Sequence, residues 1–223
     1  MNIKYLELAA EDLNEQLDYY ANVLSLPVKL SADRMEVAVG QTTLVFRQAN
    51  PGFNGAYHFA FNIPANQFRA AKAWISSRAP LLRDEKGNDE FTSSSWNSTS
   101  LYFKDPVGNI LEFIARHALD NAVHEDFNSR HMLNVSEIGL PSENVIAFAD
   151  ELCTQLNLSV FKQEPDETFT PVGDDNGLLI LPVKGRIWYP NTGVPASMLP
   201  VRVNWNVDGM EFEIRGVPYE ISR

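Results

Sequence analysis

Residues 101–113, with the sequence LYFKDPVGNILEF, constrain the fold of this chain more than any other segment. Two apolar runs flank the tetrapeptide Asp105-Pro106-Val107-Gly108. This tetrapeptide has the makeup of a type I turn, because Pro suits the second position and Asp and Gly suit the ends. The segment therefore predicts a β-hairpin with strands at residues 99–104 and 109–115.

Glu112 is the residue of this hairpin that bears on chemistry. It follows Ile110 and Leu111 and precedes Phe113 and Ile114, so it lies in the middle of an apolar strand. A carboxylate on a half-apolar face is costly unless it is paired or bound to a cation. The strand pattern leaves two interpretations: a metal ligand, or an edge-strand Glu that is solvated or salt-bridged to an Arg.

His58 lies in a second apolar strand, predicted at residues 57–63. By alternation its face carries Ala56, Ala60 and Asn62, whereas the opposite face carries bulky apolar side chains. The small residues leave room beside the imidazole, as the floor of a pocket would. The alternative is a histidine that is hydrogen-bonded within the sheet.

A strand–helix–strands pattern starts three times along the chain. Its first strands are predicted at residues 3–10, 57–63 and 135–140, and an amphipathic helix follows each of them. A shift of 132 residues places Leu6 on Ile138 and keeps later apolar positions in step. The sequence therefore predicts repeated β-α-β-β-β units.

The C-terminal part is less regular. Residues 186–200 carry three prolines and are predicted to form a loop, either a lid or a simple crossover. Residues 201–205 and 210–214 are predicted to form a hairpin around Asn206-Val207-Asp208-Gly209. This hairpin would be a fragment of a fourth unit.

These units predict an α+β fold in which repeated β-α-β-β-β units form curved mixed sheets with a concave pocket. An incomplete additional pair of units is expected at the C-terminus. Because one unit cannot bury both faces of its sheet, we expect residues 1–116 to form a domain of two paired units. Residues 117–131 are expected to be a linker, and residues 132–223 a third unit with a C-terminal hairpin. The units could pair within the chain or across a homodimer.

The order of these motifs resembles the vicinal oxygen chelate superfamily, which includes glyoxalase I, fosfomycin and bleomycin resistance proteins and extradiol dioxygenases. There, a unit opens with a strand carrying a His and closes, after an Asp-Pro-x-Gly turn, with a strand carrying a Glu. Here His58 and Glu112, 54 residues apart, match both motifs in order. The pair Tyr19-Tyr20 resembles the aromatic pair in the helix of the first unit. The resemblance is good over residues 3–116 and only suggestive over residues 132–223.

The resemblance implies a divalent metal, Fe, Mn, Ni or Zn, held by His58 and Glu112. A third ligand would come from the first strand of the first unit, where the corresponding residue is Tyr5, or Glu7 after a register shift. A tyrosine with a pKa near 10 is a poor ligand at neutral pH, so Tyr5 could equally be an aromatic residue of the pocket wall. In the third unit this position is Glu137, and no DPxGxxxE motif follows it. That unit is therefore expected to lack a metal site of its own and to cap the pocket or build an interface.

Three classes of function follow. The first is a metal-dependent enzyme, a lyase or isomerase or a ring-cleaving dioxygenase, that chelates two neighbouring oxygens of a small molecule. The alternative is a metal-free protein that binds or sequesters a small molecule, as in the bleomycin-resistance branch, with aromatic side chains such as Tyr5, Phe59, Trp96 or Tyr102. The third class is a structural or regulatory protein. The sequence assigns no catalytic residue.

Composition limits the partners and the location. The chain of 223 residues has a formal net charge of −11, which argues against nucleic acid and anionic membranes as partners. Cys153 is the only cysteine, so neither an internal disulfide nor a CxxC site can form. The N-terminus resembles no signal peptide, and no apolar run is long enough to span a bilayer. A cytoplasmic protein is the expectation.

Overall fold

The computed structural model describes residues 1–207 and 209–222, and it begins with a complete β-α-β-β-β unit. Helix α1 of this unit starts after Asp12, whose side chain accepts hydrogen bonds from two backbone N–H groups of the first turn. A π-helical turn at Tyr19–Val23 extends the helix and buries both tyrosines of the pair. The elements of the first unit are β1 (Asn2–Ala10), α1 (Leu13–Asp18), β2 (Val28–Leu30), β3 (Arg34–Val39) and β4 (Thr42–Gln48).

Two further units and a hairpin follow, in the order that the sequence predicts. The second unit contains β5 (His58–Ile63), α2 (Phe68–Ser76), β6 (Phe91–Ser93), β7 (Ser98–Lys104) and β8 (Ile110–Arg116). The third contains β9 (Asn134–Gly139), α3 (Val145–Leu156), β10 (Phe169–Asp174) and β11 (Gly177–Pro182). The chain ends with β12 (Val201–Val207), β13 (Met210–Gly216) and β14 (Glu220–Ser222).

The predicted C-terminal hairpin is confirmed, since β12 and β13 pair antiparallel. Asp208, in its predicted turn, lies outside the described residues. The helices are short, and none among residues 1–207 and 209–222 is long and apolar enough to cross a membrane.

The strands form two curved, seven-stranded mixed sheets, which confirms the predicted fold class. The first sheet has the order β14-β13-β12-β1-β4-β3-β2, and the second has the order β10-β11-β9-β5-β8-β7-β6. The first unit therefore joins the C-terminal strands, and the second unit joins the third. Both sheets are completed by strands of one chain.

This pairing differs from the one expected for residues 1–116, where the first and second units were to pair with each other. The edge of β5 that could have met the first unit is taken by β9, and the corresponding edge of β1 is taken by β12. Both contacts are antiparallel. Apolar patterns show that the units are alike, but they do not say which edges meet. The division of the chain into domains at residues 116 and 132 stays a prediction.

The two sheets share one hydrophobic core and are tied together by buried polar contacts. The Thr42 hydroxyl donates to the Ile3 carbonyl, 2.7 Å away, and accepts from the backbone N–H of Val135 at 3.0 Å. Next to it, the Gln41 N–H donates to the Leu133 carbonyl at 3.0 Å. The β3–β4 turn thus docks against the start of β9.

Asp105, in the turn of the second unit, makes another such tie. Its buried carboxylate accepts hydrogen bonds from Gln16 Nε2 at 2.8 Å, Tyr20 Oη at 3.2 Å and Asn109 Nδ2 at 2.8 Å. Burial raises the pKa of Asp105 to about 6, and the bonds from Gln16 and Asn109 oppose that rise. The turn therefore packs against the helix of the first unit, so Asp105 has a role in tertiary structure as well as in the hairpin turn.

Gly40 tests the docking of the β3–β4 turn. It has a φ of +50°, and a Cβ there would overlap the Leu133 carbonyl. Gly87 has a φ of +84° with open space around it. We expect Gly87→Ala to cost about 1 kcal/mol from left-handed backbone strain alone. Gly40→Ala should cost about 1–3 kcal/mol more, because the backbone of residue 133 must also move.

Urea unfolding of both variants and the wild-type protein measures the difference. Equal losses of unfolding free energy in Gly40→Ala and Gly87→Ala would show that the β3–β4 turn does not pack closely against residue 133.

Candidate metal centre

Three adjacent strands of the second sheet bring His58, Glu112 and Glu137 onto one face. Ala60 of β5 lies opposite Glu112 of β8 and opposite Glu137 of β9. His58 precedes Ala60 by two residues and therefore projects from the same face of the sheet. The methyl group of Ala60 leaves space between the two carboxylates. We refer to these three residues as the His58–Glu112–Glu137 cluster.

The ligand atoms of the cluster converge. His58 Nε2 lies 3.6 Å from Glu112 Oε2 and 3.9 Å from Glu137 Oε2. One nitrogen and two oxygens, one atom from each residue, all lie within 4.8 Å of one another. These separations are too long for hydrogen bonds, but all three atoms can reach one cation. All three residues are buried.

A backbone contact fixes the imidazole of His58. Its Nδ1 lies 3.1 Å from the Ile110 carbonyl, which can only accept, so Nδ1 carries the proton. The unprotonated Nε2 then faces the carboxylates. Burial lowers the pKa of His58 to about 4, and the bond to Ile110 only partly opposes this, so the ring is neutral at pH 7. Metal-binding histidines are oriented in the same way, by a hydrogen bond from the ring nitrogen that is not bound to the metal.

The negative charges of Glu112 and Glu137 are costly in this buried position. Burial, together with the negative charge of Glu137, raises the pKa of Glu112 well above its usual range. Hydrogen bonding by the hydroxyls of Ser100 and Tyr102 opposes this rise. Burial also raises the pKa of Glu137, against the attraction of Arg116. Two carboxyl groups this close to each other and to an unprotonated imidazole nitrogen repel each other when both are ionised. A proton shared between them, or a bound cation, would relieve that repulsion.

Arg116 holds Glu137 in place. Its guanidinium is fully buried and forms an ion pair with Glu137 Oε1, which leaves Oε2 to face His58. Its Nε lies 3.3 Å from the side-chain oxygen of Asn62. The guanidinium carbon also lies 5.7 Å from the ring centroid of Trp96 and 5.5 Å from that of Phe161. Glu137 is therefore pre-oriented by a contact that does not use its ligand atom.

The cluster lies in the wall of a cavity of about 310 Å³. Serine hydroxyls and aliphatic side chains contribute to the wall, but aromatic rings dominate it. Residues 186–189, from the loop between β11 and β12, also line the cavity. The aromatic residues of the wall are Phe91, Trp96, Tyr102, Phe169, Trp188 and Tyr189.

Gly139 makes room for one of these rings. A Cβ at this position would meet the Trp188 indole at 2.5 Å. The indole lies 5.0 Å from the ring centroid of His58. The absent side chain of Gly139, two residues after Glu137 on β9, therefore allows Trp188 to cover the imidazole.

The structure brings two of the three sequence-predicted ligands together and leaves the third elsewhere. Tyr5 and Glu7 lie on β1 in the first sheet. The Tyr5 hydroxyl donates to Glu7 at 2.6 Å, and Arg47 binds both carboxylate oxygens of Glu7 at 3.0 and 3.2 Å. Burial and the bond to Glu7 raise the pKa of Tyr5 to about 12. The position beside His58 is filled by Glu137, from the unit expected to have no metal site of its own.

No protein-family model and no curated protein sequence matches the chain. Among solved structures, a proposed dioxygenase from Bacillus subtilis superposes on 93% of this chain and 71% of its own, with a TM-score of 0.64 and 17% identity. Lactoylglutathione lyase from Agrobacterium tumefaciens matches 50% of this chain and 91% of its own, with 22% identity and a TM-score of 0.42. A Mn(II)-bound variant of the fosfomycin resistance protein FosX from Listeria monocytogenes matches 50% of this chain and 86% of its own, with 16% identity and a TM-score of 0.39. The chain therefore shares its fold with the Bacillus subtilis protein over nearly its whole length, and the repeated β-α-β-β-β fold that the sequence resemblance implied is confirmed.

The buried ion pair between Arg116 and Glu137 should contribute to the stability of the fold. Arg116→Met leaves Glu137 buried without its partner, and we expect a loss of about 3–5 kcal/mol in the free energy of unfolding, measured in the presence of a chelator. The double variant Arg116→Met/Glu137→Gln should recover about 1–3 kcal/mol of that loss.

Arg202→Met serves as the matched control, since Arg202 pairs with Glu213 at 2.6 Å on the exposed face of the other sheet. That variant should change stability by about 1 kcal/mol or less. Additive effects in the double variant would contradict the proposed orientation of Glu137 by Arg116.

Proposed function

We propose that this protein is a metal-dependent enzyme of the vicinal oxygen chelate type, a lyase, isomerase or ring-cleaving dioxygenase. Its substrate would be a small molecule with two adjacent oxygen atoms. His58, Glu112 and Glu137 would hold a divalent cation. The observation that carries this proposal is the convergence of three buried ligand atoms within 4.8 Å in the wall of a cavity.

The donor set fits a divalent metal. One imidazole nitrogen and two carboxylate oxygens suit Mn²⁺ and Fe²⁺, and they also accept Zn²⁺ or Ni²⁺. The cluster spans adjacent strands of one sheet face and borders the cavity, so substrate can approach it from the cavity side. When bound, the metal would supply Lewis acidity to the two substrate oxygens.

The residues of the chain supply binding and orientation. Burial, followed by the charge of Glu112, raises the pKa of Tyr102 well above 10, so its hydroxyl remains a donor toward that carboxylate. Trp188 covers His58, and the aromatic side chains of the wall would help to exclude water from the metal site. Arg116 leaves one oxygen of Glu137 available. These contacts place the ligand atoms before any metal arrives.

Metal content tests the assignment. Protein purified without chelators or affinity tags and incubated with Mn²⁺, Fe²⁺, Ni²⁺ or Zn²⁺ should retain about one equivalent of one of these ions. Loss of a ligand lowers metal affinity, so His58→Ala, Glu112→Gln and Glu137→Gln should retain much less. Inductively coupled plasma mass spectrometry of desalted samples gives the stoichiometry.

Tyr5→Phe and Glu7→Gln are the matched controls, because both lie at the alternative ligand positions on β1. They should retain the wild-type metal content. Wild-type protein that stays metal-free with every ion supports the metal-free binding protein instead. Retention by Glu137→Gln together with loss in Tyr5→Phe would show that the third ligand is assigned incorrectly.

Metal binding should also depend on pH. Because the pKa of Glu112 is raised, this carboxyl keeps its proton to a higher pH than an ordinary glutamate does. The cation must displace that proton, so the apparent affinity should rise with pH, by about tenfold per unit where one proton is released.

Calorimetric titration of Zn²⁺ in two weakly coordinating buffers with different ionisation enthalpies measures the proton release. Ser100→Ala removes a hydrogen bond that lowers the pKa of Glu112, so its affinity profile should shift to higher pH. An affinity that is independent of pH would contradict this account of the cluster.

A further inference from the structure

Arg186 is the one Lys or Arg in the cavity lining, taken over the residues that the structure describes. It lies in the loop between β11 and β12, with its guanidinium carbon 4.6 Å from the ring centroid of Phe169. Within residues 1–207 and 209–222, no carboxylate lies at ion-pair distance from it. A stacked guanidinium without an acidic partner, at the edge of a cavity, has its hydrogen-bond donors available to a ligand.

Asp166, whose negative charge acts on Arg186, is already engaged. Asp166 acts on Arg186 only through longer-range attraction. Its Oδ1 accepts from the backbone N–H of Thr168 at 2.8 Å and of Phe169 at 3.1 Å, so it closes a local turn. Lys184, two residues before Arg186, is paired with a glutamate at 3.0 Å. Arg186 therefore differs from its neighbour on the same loop.

The acidic residues of the cavity lining suggest what the Arg186 guanidinium does. Glu112 and Glu137 face the cavity, and Arg116 compensates only one of these two carboxylates. Any negative charge that these two carboxyl groups keep repels an anionic molecule in the cavity, and the Arg186 guanidinium in the same lining would offset that repulsion. A guanidinium binds a carboxylate through two parallel hydrogen bonds, which also fixes the orientation of the ligand.

The rest of the wall defines the shape of the ligand. Trp96 and Phe169 lie nearly parallel, with ring centroids 6.3 Å apart and planes inclined by 28°. Phe91 and Tyr189 meet edge to face at 4.9 Å. The volume of about 310 Å³ lies at the lower end of the range of about 300–1,000 Å³ for ligand pockets. Aromatic walls at this size favour a small flat body.

We propose that Arg186 recognises a carboxylate on the substrate, so that the substrate is a small, flat, anionic molecule whose adjacent oxygens are directed at the His58–Glu112–Glu137 cluster. This inference rests on the proposed function for the direction of those oxygens. The recognition of the carboxylate by Arg186 is a separate claim and is measured separately.

Two probes that differ in charge and not in shape test the role of Arg186. They are 3,4-dihydroxybenzoate and its neutral amide, 3,4-dihydroxybenzamide. Isothermal titration calorimetry measures the affinity of both for the metal-free and for the zinc-loaded protein, zinc being redox-inert. The variants are Arg186→Gln, Arg186→Lys and, as the matched control on the same loop, Lys184→Gln.

We expect the wild-type protein and Lys184→Gln to bind the acid about tenfold or more tightly than the amide. In Arg186→Gln the ratio should fall to about one while the affinity for the amide is kept, and Arg186→Lys should lie between. Equal affinities in the wild type, a preference that survives in Arg186→Gln, or failure of both probes to bind would overturn the inference. Zinc that strengthens both probes equally reports on the proposed function, whereas the ratio between the probes reports on Arg186.

Discussion

The antiparallel pairing of β5 with β9 is the contact on which the candidate site depends. It places Glu137 opposite Ala60, while the parallel pairing of β5 with β8 places Glu112 opposite the same alanine from the other side. His58, two residues away, completes the cluster. The second and third units thus build one site between them, and the first unit, paired with the C-terminal strands, takes no part in it. A shift of β9 by one residue would turn Glu137 to the opposite face of the sheet.

The surroundings of the cluster explain how two carboxylates are tolerated in a buried position. The guanidinium of Arg116 holds Glu137 through Oε1, which leaves Oε2 available, and the hydroxyls of Ser100 and Tyr102 hydrogen-bond to Glu112. Removing these charges from water is expensive, and Arg116 offsets only part of that cost. A divalent cation would remove the remaining repulsion. Pre-orientation by neighbouring contacts and residual negative charge are both properties of metal sites in proteins.

The sequence carries most of the fold and part of the site. Alternation and turn residues locate the strands that bear His58 and Glu112, since these signals are local. The partner of a sheet edge is a long-range property. The sequence therefore placed the candidate third ligand at Tyr5, or at Glu7 after a register shift, and treated Glu137 as the same position in a unit without a metal site. Knowledge that β5 meets β9 would have selected Glu137. The importance of Asp105 beyond its turn was missed for the same reason, because its partners Gln16 and Tyr20 belong to another unit.

The proposed site requires one cation to be shared by the second and third units. The most direct measurement is an anomalous difference map from crystals soaked in Mn²⁺ and recorded at the manganese absorption edge. If one cation is shared in this way, the map should show one strong peak in contact with His58 Nε2 and with carboxylate oxygens of Glu112 and Glu137. A peak beside Tyr5 and Glu7, or a map without a peak at the cluster in soaked crystals, would contradict it.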